Sequence, residues 1–369
     1  MKQSRRRIFV WLLAAGLTLG MLSGCSEVTP NSEPESSEEV SEPVSSEPES
    51  SEEVSSEPET VEGNQNPLTG LYDLSEDAVG KRPVAIMINN IKIALPQSGI
   101  SRADIMYEMV VEGGITRMMA VYSDYNAVPT TGSIRSARHN YLELALPHDA
   151  IYVHFGGSNI AYDKIKAYGL TDDLDGLKNM TPFTQDKALA ASKGQEHSFY
   201  TTGALLSKGI AAKNIRTESK VTSTAFNFAK EYTAASDAEG CSAISVPFSN
   251  YVTAKFTYNA DTDSYDKQQF GAAHMDANTG KAASVHNVFV LYTNIYTMDK
   301  KGHQQIDLNS GSGYYCTGGK YQKISWSKNG VNAPIVYKDA SGNELSVSAG
   351  NSWVCIVSDK QKSNTKITP

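Results

Sequence analysis

Hydrophobic and polar positions change rhythm three times along the 369-residue chain. Residues 8–21 form an unbroken apolar run behind Lys2, Arg5, Arg6 and Arg7, and residues 26–62 hold almost nothing but Ser, Glu, Pro and Val. From residue 63 onward short apolar blocks recur, as a packed core requires. Within 82–170 these blocks predict the order β-α-β-α-β-α. Residues 83–88 read as a buried strand. Ser101 and Asp104, three apart, read as a capping box that opens a helix ending at Gly113-Gly114. A strand is expected at 115–122, a helix at 135–146 stopped by Pro147, a strand at 150–155, and a helix capped by Ser158 and ended by Gly169. Another helix is expected from about 202. Beyond 245 the blocks shorten between Asn, Asp and Gly, predicting strands at 252–259, 286–294, 320–326, 334–338 and 351–357, with a turn at Asp339 to Gly342. The expected fold is mixed α/β, with an N-terminal α/β part built on a mainly parallel sheet and a C-terminal antiparallel β-rich part.

Charge divides the chain at the same places. The basic start carries +4, and 26–62 carry thirteen Glu with no Lys or Arg. Removing both from the total of −8 leaves +1 on 63–369, so the acidity belongs to a tail. A near-neutral body lacks the basic surface that nucleic-acid binding needs. The apolar run is too short to span a bilayer comfortably and ends in Leu22-Ser23-Gly24-Cys25. That is a lipobox: residues 1–24 form a signal peptide, and Cys25 takes the diacylglyceryl group through its sulfur. Two acyl chains suffice for stable anchoring at the extracytoplasmic face of the membrane. Residues 25–66 then make a tether, in which SEPESSEEV occurs at 32–40 and again at 46–54. With no aromatic residue and hardly any apolar surface, it cannot offset its ordering entropy. The body divides into 67–240 and 241–369.

The expected topology gathers strand ends and helix starts along one edge, where such sheets bind ligands. GSIRSAR (132–138) and HFGGS (154–158) fall there. Ser133, Arg135, Arg138, His154, Gly157, Ser158 and Asn89 would bring amide, guanidinium, imidazole and hydroxyl groups to an anionic ligand. Arg135 and Arg138 would sit one helical turn apart, with ion pairs to Glu143 or Asp149 as the competing reading. A second constellation, Asp104, Glu108 and Glu112, would form an acidic stripe on a helix, on the edge opposite that crevice. Asp104 and Arg117 would take part in structural ion pairs, and Glu108, Glu112 or His154 could serve acid/base chemistry on cell wall. Asp172, Asp173 and Asp175 lack the spacing of a calcium loop, and His274 with Asp276 is too small a set for a metal centre, so no metal or cofactor is expected. His197 reads as a structural histidine that could extend the crevice. Cys241, Cys316 and Cys355 leave an odd number of thiols, and whether Cys316 and Cys355 pair stays open. SGSGYYCTGG (310–319) bears only a faint likeness to an L,D-transpeptidase nucleophile motif, without its glycine before the cysteine or its arginine after it.

SRADIMYEMVVEGGITR (101–117), GSIRSAR and HFGGS, in this order behind a lipobox, resemble the YerB family of Gram-positive lipoproteins. The resemblance runs over nearly all of 65–360. It implies an N-terminal α/β part, a C-terminal β-rich part and membrane attachment. It implies no activity, because the family is a domain of unknown function, and it assigns no catalytic residues. The expected role is a non-catalytic binding or accessory protein that recognises an anionic wall or envelope component. The alternatives are a wall-acting hydrolase or transferase and a docking partner of an envelope enzyme. Oligomeric state is not legible.

Overall fold

The computed structural model describes residues 62–369; the signal segment, Cys25 and the tether up to residue 61 lie outside the described residues. An eleven-stranded mixed sheet forms the centre. The N-terminal part supplies β1 (Val84–Asn90), β2 (Ile105–Val110), β3 (Thr116–Tyr122), β4 (Ile151–His154) and β5 (Leu174–Asp175). The C-terminal part supplies β6 (Asn287–Thr293), β7 (Ser310–Thr317), β8 (Lys320–Lys328), β9 (Ile335–Lys338) and β10 (Ser352–Ser358). The order is β9-β8-β7-β6-β10-β2-β3-β1-β4-β5, with Glu239–Gly240 also pairing β8. β10 runs parallel to both β2 and β6, and so joins the two parts into one sheet.

Every residue of β1, β2 and β3 is buried, because both faces of the sheet are covered. On one face Val84, Ile86 and Ile88 share a core with Ile244, Val246, Phe256 and Trp353. That face packs against a second, six-stranded sheet, antiparallel throughout, which includes Ala243–Pro247, Thr253–Asn259 and Ser264–Gln269. On the other face Ala85 and Met87 pack with Tyr141, Leu142, Ala161 and Ile165. Those last four belong to helices α1 (His139–Ala145) and α2 (Asn159–Ala167). Each buried Ile, Val or Leu contributes roughly 1.5–3 kcal/mol of transfer free energy. Helices α3 (Lys187–Lys193) and α4 (Gly203–Ala212) follow, and α4 begins where Thr202 caps the Leu205 amide. Ser158 caps α2 through the Ala161 amide, as its position in the sequence leads one to expect. None of the described helices is long and apolar enough to cross a membrane.

Two expected elements differ from the structure. The helix at 101–112 is absent: Ile100–Arg102 is a single 3-10 turn, and β2 follows. β2 and β3 form an antiparallel hairpin, turned by Gly113 (φ +68°) and Gly114 (φ +73°). A strand buried on both faces loses the polar–apolar alternation that marks a strand, and Met and Glu then mimic helix composition. The helix expected from 135 begins only at His139. The segment before it is extended and zipped between two neighbours: Arg135 N donates to Met87 O, Phe155 N to Arg135 O, and Ala137 N to Gly156 O. Within the N-terminal part β4 is parallel to β1 and β5, whereas β3 is antiparallel to β1 and β2.

Candidate functional site

The carboxyl ends of β1 and β4 lie side by side, and the chain segments 133–137 and 155–158 cover them. Because β3 runs antiparallel to β1, its start and the Gly113-Gly114 turn reach this same edge, not the opposite one. That placement decides the fate of the two arginines. Arg138 Nε and Nη2 donate to Glu112 Oε1 and Oε2 at 2.6 and 2.8 Å, a bidentate pair. Burial pushes the Glu112 carboxyl up, but the Arg138 bonds and charge outweigh it and hold it low. Arg138 is therefore engaged by Glu112, rather than by Glu143 or Asp149. Arg135, three residues away on extended backbone, points elsewhere.

His154 is fully buried. Its Nδ1 lies 2.7 Å from Gly156 O and its Nε2 3.2 Å from Asp173 Oδ2. Lys178 and Lys213 also reach Asp173, at 3.4 and 3.2 Å. Burial raises the Asp173 carboxyl, yet the His154 hydrogen bond and these positive charges hold it well below the ordinary carboxylate range. The ligand atoms of His154, Asp173 and Asp175 lie within 4.8 Å of one another. Protein donors already occupy the Asp175 oxygens: the Gly156 and Leu177 amides on one, and the Tyr162 hydroxyl, at 2.9 Å, on the other. This is a closed ion-pair cluster beneath the surface, and His154 does not share a crevice with Arg135.

The remaining expected residues scatter. Asn89 donates to His197 Nδ1 at 2.7 Å, which places the imidazole proton on Nε2. Ser133 is buried with no partner for its hydroxyl among the described residues. Asp104 and Arg117 make no ion pairs among the described residues. Asp104 accepts from the Ser123 amide and from Asn66, and burial raises its pKa. Arg117 donates to Ser136 O at 2.6 Å, and burial, with the Arg138 charge, lowers its pKa to about 9. Glu108 sits fully buried in β2 at the seam between the two sheets. Its oxygens accept from Asn90, Thr116 and the Trp353 indole, and Lys267 Nζ lies 3.4 Å away. Lys267 in turn donates to Gln269 and to His274 Nδ1, and stands 4.6 Å from the Trp353 ring centre. His274 Nε2 donates to Gln97 at 2.8 Å. Burial lowers the pKa of both Lys267 and His274. Asp276, expected beside His274 on a strand face, accepts from the Gly99 and Ser101 amides. Glu108 and Glu112 thus serve separate clusters, one sealed in the core and one holding Arg138.

Arg135 is different. Its guanidinium is half-buried, Nε is buried without a hydrogen-bond partner among the described residues, and Nη1 has only a long 3.4 Å contact with Glu196 O. Burial lowers its pKa, with the Glu196 charge opposing. It lines a cavity of about 340 Å³ together with Ser136, Phe155, Gly156, Leu177 and Phe199. The Phe155 and Phe199 rings stack 3.7 Å apart at 15°, and both are half-exposed. Two other cavities are less suited to an anion. One of about 650 Å³ holds Arg82 and Arg216, but Asp149 and Asp172 pair with them. The other, about 480 Å³, lies across the Gln195–His197 turn and is lined by Pro96, Asp186, Leu189, Lys193, His197 and Tyr200. Burial lowers the His197 pKa there, helped by the Arg135 charge.

Among the residues around Arg135, sequence reasoning named Arg135 and Gly157 and missed Phe155, Phe199, Glu196 and Leu177. Phe155 stood inside the HFGGS motif, whereas Phe199 and Glu196 come from a distant turn and gave no local signal.

Residues 68–216 match the family model described as "Protein of unknown function (DUF3048) N-terminal domain", and residues 244–354 match that of its C-terminal domain. The chain belongs to the DUF3048 family. A relative, "Putative lipoprotein YerB" of Bacillus subtilis (strain 168), is 31% identical over 310 residues, covering 82% of this chain and 88% of the relative. The crystal structure of the YerB protein from Bacillus subtilis superposes with a TM-score of 0.72 at 28% identity, covering 83% of this chain and 99% of that one. The two DUF3048 segments contribute adjacent blocks of strands to the single central sheet described above, meeting where β10 pairs with β2.

Proposed function

We propose that this DUF3048 protein is a lipid-anchored, extracytoplasmic binding protein of the cell envelope that takes an anionic ligand at the Arg135 cavity. The anchoring half of the reading is supported by the lipobox at Cys25 and by a relative named as a lipoprotein. The binding half is carried by a contrast among guanidiniums. Arg82, Arg117, Arg138 and Arg216 each find close protein acceptors and Arg102 is exposed to water, whereas the half-buried Arg135 finds no acceptor for Nε among the described residues. A half-buried guanidinium facing a cavity without an acceptor is under-satisfied, and an anion would complete it.

The test is calorimetric titration of the full chain in detergent with formate, acetate and inorganic phosphate, beside Arg135→Gln. A charged hydrogen bond of about 1.5–3 kcal/mol predicts binding weakened roughly ten- to hundred-fold in the variant. Equal binding by parent and variant, with circular dichroism unchanged, would remove the cavity from consideration.

A further inference from the structure

We propose, resting on the anionic reading above, that the ligand of the Arg135 cavity is the free C-terminal carboxylate of a peptide whose last residue is apolar. Charge sets the first limit. Among the described residues Arg135 is the one cationic side chain lining the cavity, and Glu196 on its rim is anionic. A single guanidinium fork matches one planar carboxylate, whereas a phosphate dianion would bring a second negative charge with nothing to balance it. The Glu196 carboxylate lies 3.8 Å from His197 Nε2 and makes no ion pair with Arg135 among the described residues.

Neutral donors set the second limit. The Ser136 hydroxyl and the Gly157 amide have no protein partner among the described residues. The Ser136 hydroxyl stands against Gly156, 3.7 Å from where a side chain would begin. Gly156 needs its glycine for its backbone, with φ at +71°, and the Leu177 side chain lies over it, 2.9 Å from where a Cβ would stand. Asp175, His154 and the Ala137 amide already engage the Gly156 N–H and carbonyl, which leaves the Gly157 amide as the main-chain donor of this wall that is unpaired among the described residues.

Apolar walls set the third. Ile134, Leu177 and the stacked Phe155–Phe199 pair surround the guanidinium, and Leu177 is 68% exposed. That surface would be idle against formate or phosphate, and it fits the side chain next to a terminal carboxylate. Capture of a peptide terminus by a charged group and free main-chain amides is an established recognition mode. The volume, about 340 Å³, suits a terminal residue and part of its neighbour.

The experiment titrates the full chain in detergent with acetyl-Gly-Leu, its C-terminal amide, acetyl-Gly-Gly, octanoate and inorganic phosphate. The expected order is acetyl-Gly-Leu tightest, with its amide and acetyl-Gly-Gly each about tenfold or more weaker. Arg135→Lys keeps the charge but loses the fork, and should weaken the acid while leaving the amide unchanged. Glu196→Gln removes a like charge near the ligand and should tighten the acid about two- to fivefold. If phosphate binds as well as the dipeptide acid, or octanoate does, the peptide proposal falls while the anionic site stands. If the amide binds as well as the acid, and Arg135→Lys changes neither, both fall together.

Discussion

Side chains decide this protein's chemistry by what they leave unpaired. Arg138 spends its fork on Glu112 and His154 sits between Gly156 O and Asp173, so two of the three basic groups expected to converge are held by the fold. The Asp173 cluster makes its own prediction. Its carboxyl is held low in the folded state, so its stabilisation is present in full above the ordinary value of 3.8 and drains away as pH falls below it. Asp173→Asn should cost on the order of 1–3 kcal/mol at pH 7 and flatten the acid limb of the stability curve. Denaturant unfolding followed between pH 3 and 7 measures both effects; a parallel offset at every pH would contradict the assignment. At this scale the sequence was half legible. It marked GSIRSAR and HFGGS as chemically rich. It could not show that Glu112, twenty-six residues from Arg138, would arrive first.

At the scale of elements, one misread strand explains most of the displaced residues. Residues 105–110 look helical because both faces are buried, and as β2 they carry Glu108 into the seam against Lys267 instead of onto an acidic stripe. Lys267 lies on the face of its strand shared with Tyr265 and Gln269, a core-facing lysine that SYDKQQ does not betray, because Tyr265 is its one apolar residue. Breaking one partner of a fully buried pair leaves an uncompensated charge. Lys267→Met should therefore destabilise by about 3–5 kcal/mol, and the double replacement with Glu108→Gln should recover part of the loss. Chemical denaturation of the single and double variants gives the coupling; additive losses would contradict a direct pair. Elements with clear caps or alternation were readable in advance, including α2 behind Ser158 and the strand pattern of 252–259.

The molecule as a whole is one folding unit across its two family segments. β10, near the C-terminus, lies between β2 and β6, and the Glu108–Lys267 pair ties β2 to the second sheet. The chain therefore should unfold in a single transition, and a fragment ending at residue 240 should lack stable tertiary structure because β2 would be left as a bare hydrophobic edge. Calorimetry of the full chain and heteronuclear NMR of the fragment check this; two separable transitions would refute it. Cys316 on β7 and Cys355 on β10 lie on opposite sides of β6, two strand spacings apart, too far for a disulfide. Mixed α/β class and the antiparallel C-terminal sheet were visible in the sequence, whereas the joining of both parts into one sheet depends on pairings more than 240 residues apart and has no local signature. Attachment is tested separately: Cys25→Ala should release the protein from membranes to the medium, read by fractionation.

Arg135 is proposed to hold the carboxylate of a ligand. The most direct measurement is the Arg135 Nε–H resonance in a 15N-labelled full chain, assigned by its loss in Arg135→Gln, during titration with acetyl-Gly-Leu. A carboxylate seated on Arg135 should give a saturable downfield shift and slowed exchange of that proton, with no change at Arg138 Nε–H. A resonance that stays still while the peptide saturates, or one that moves no more than Arg138, would contradict it.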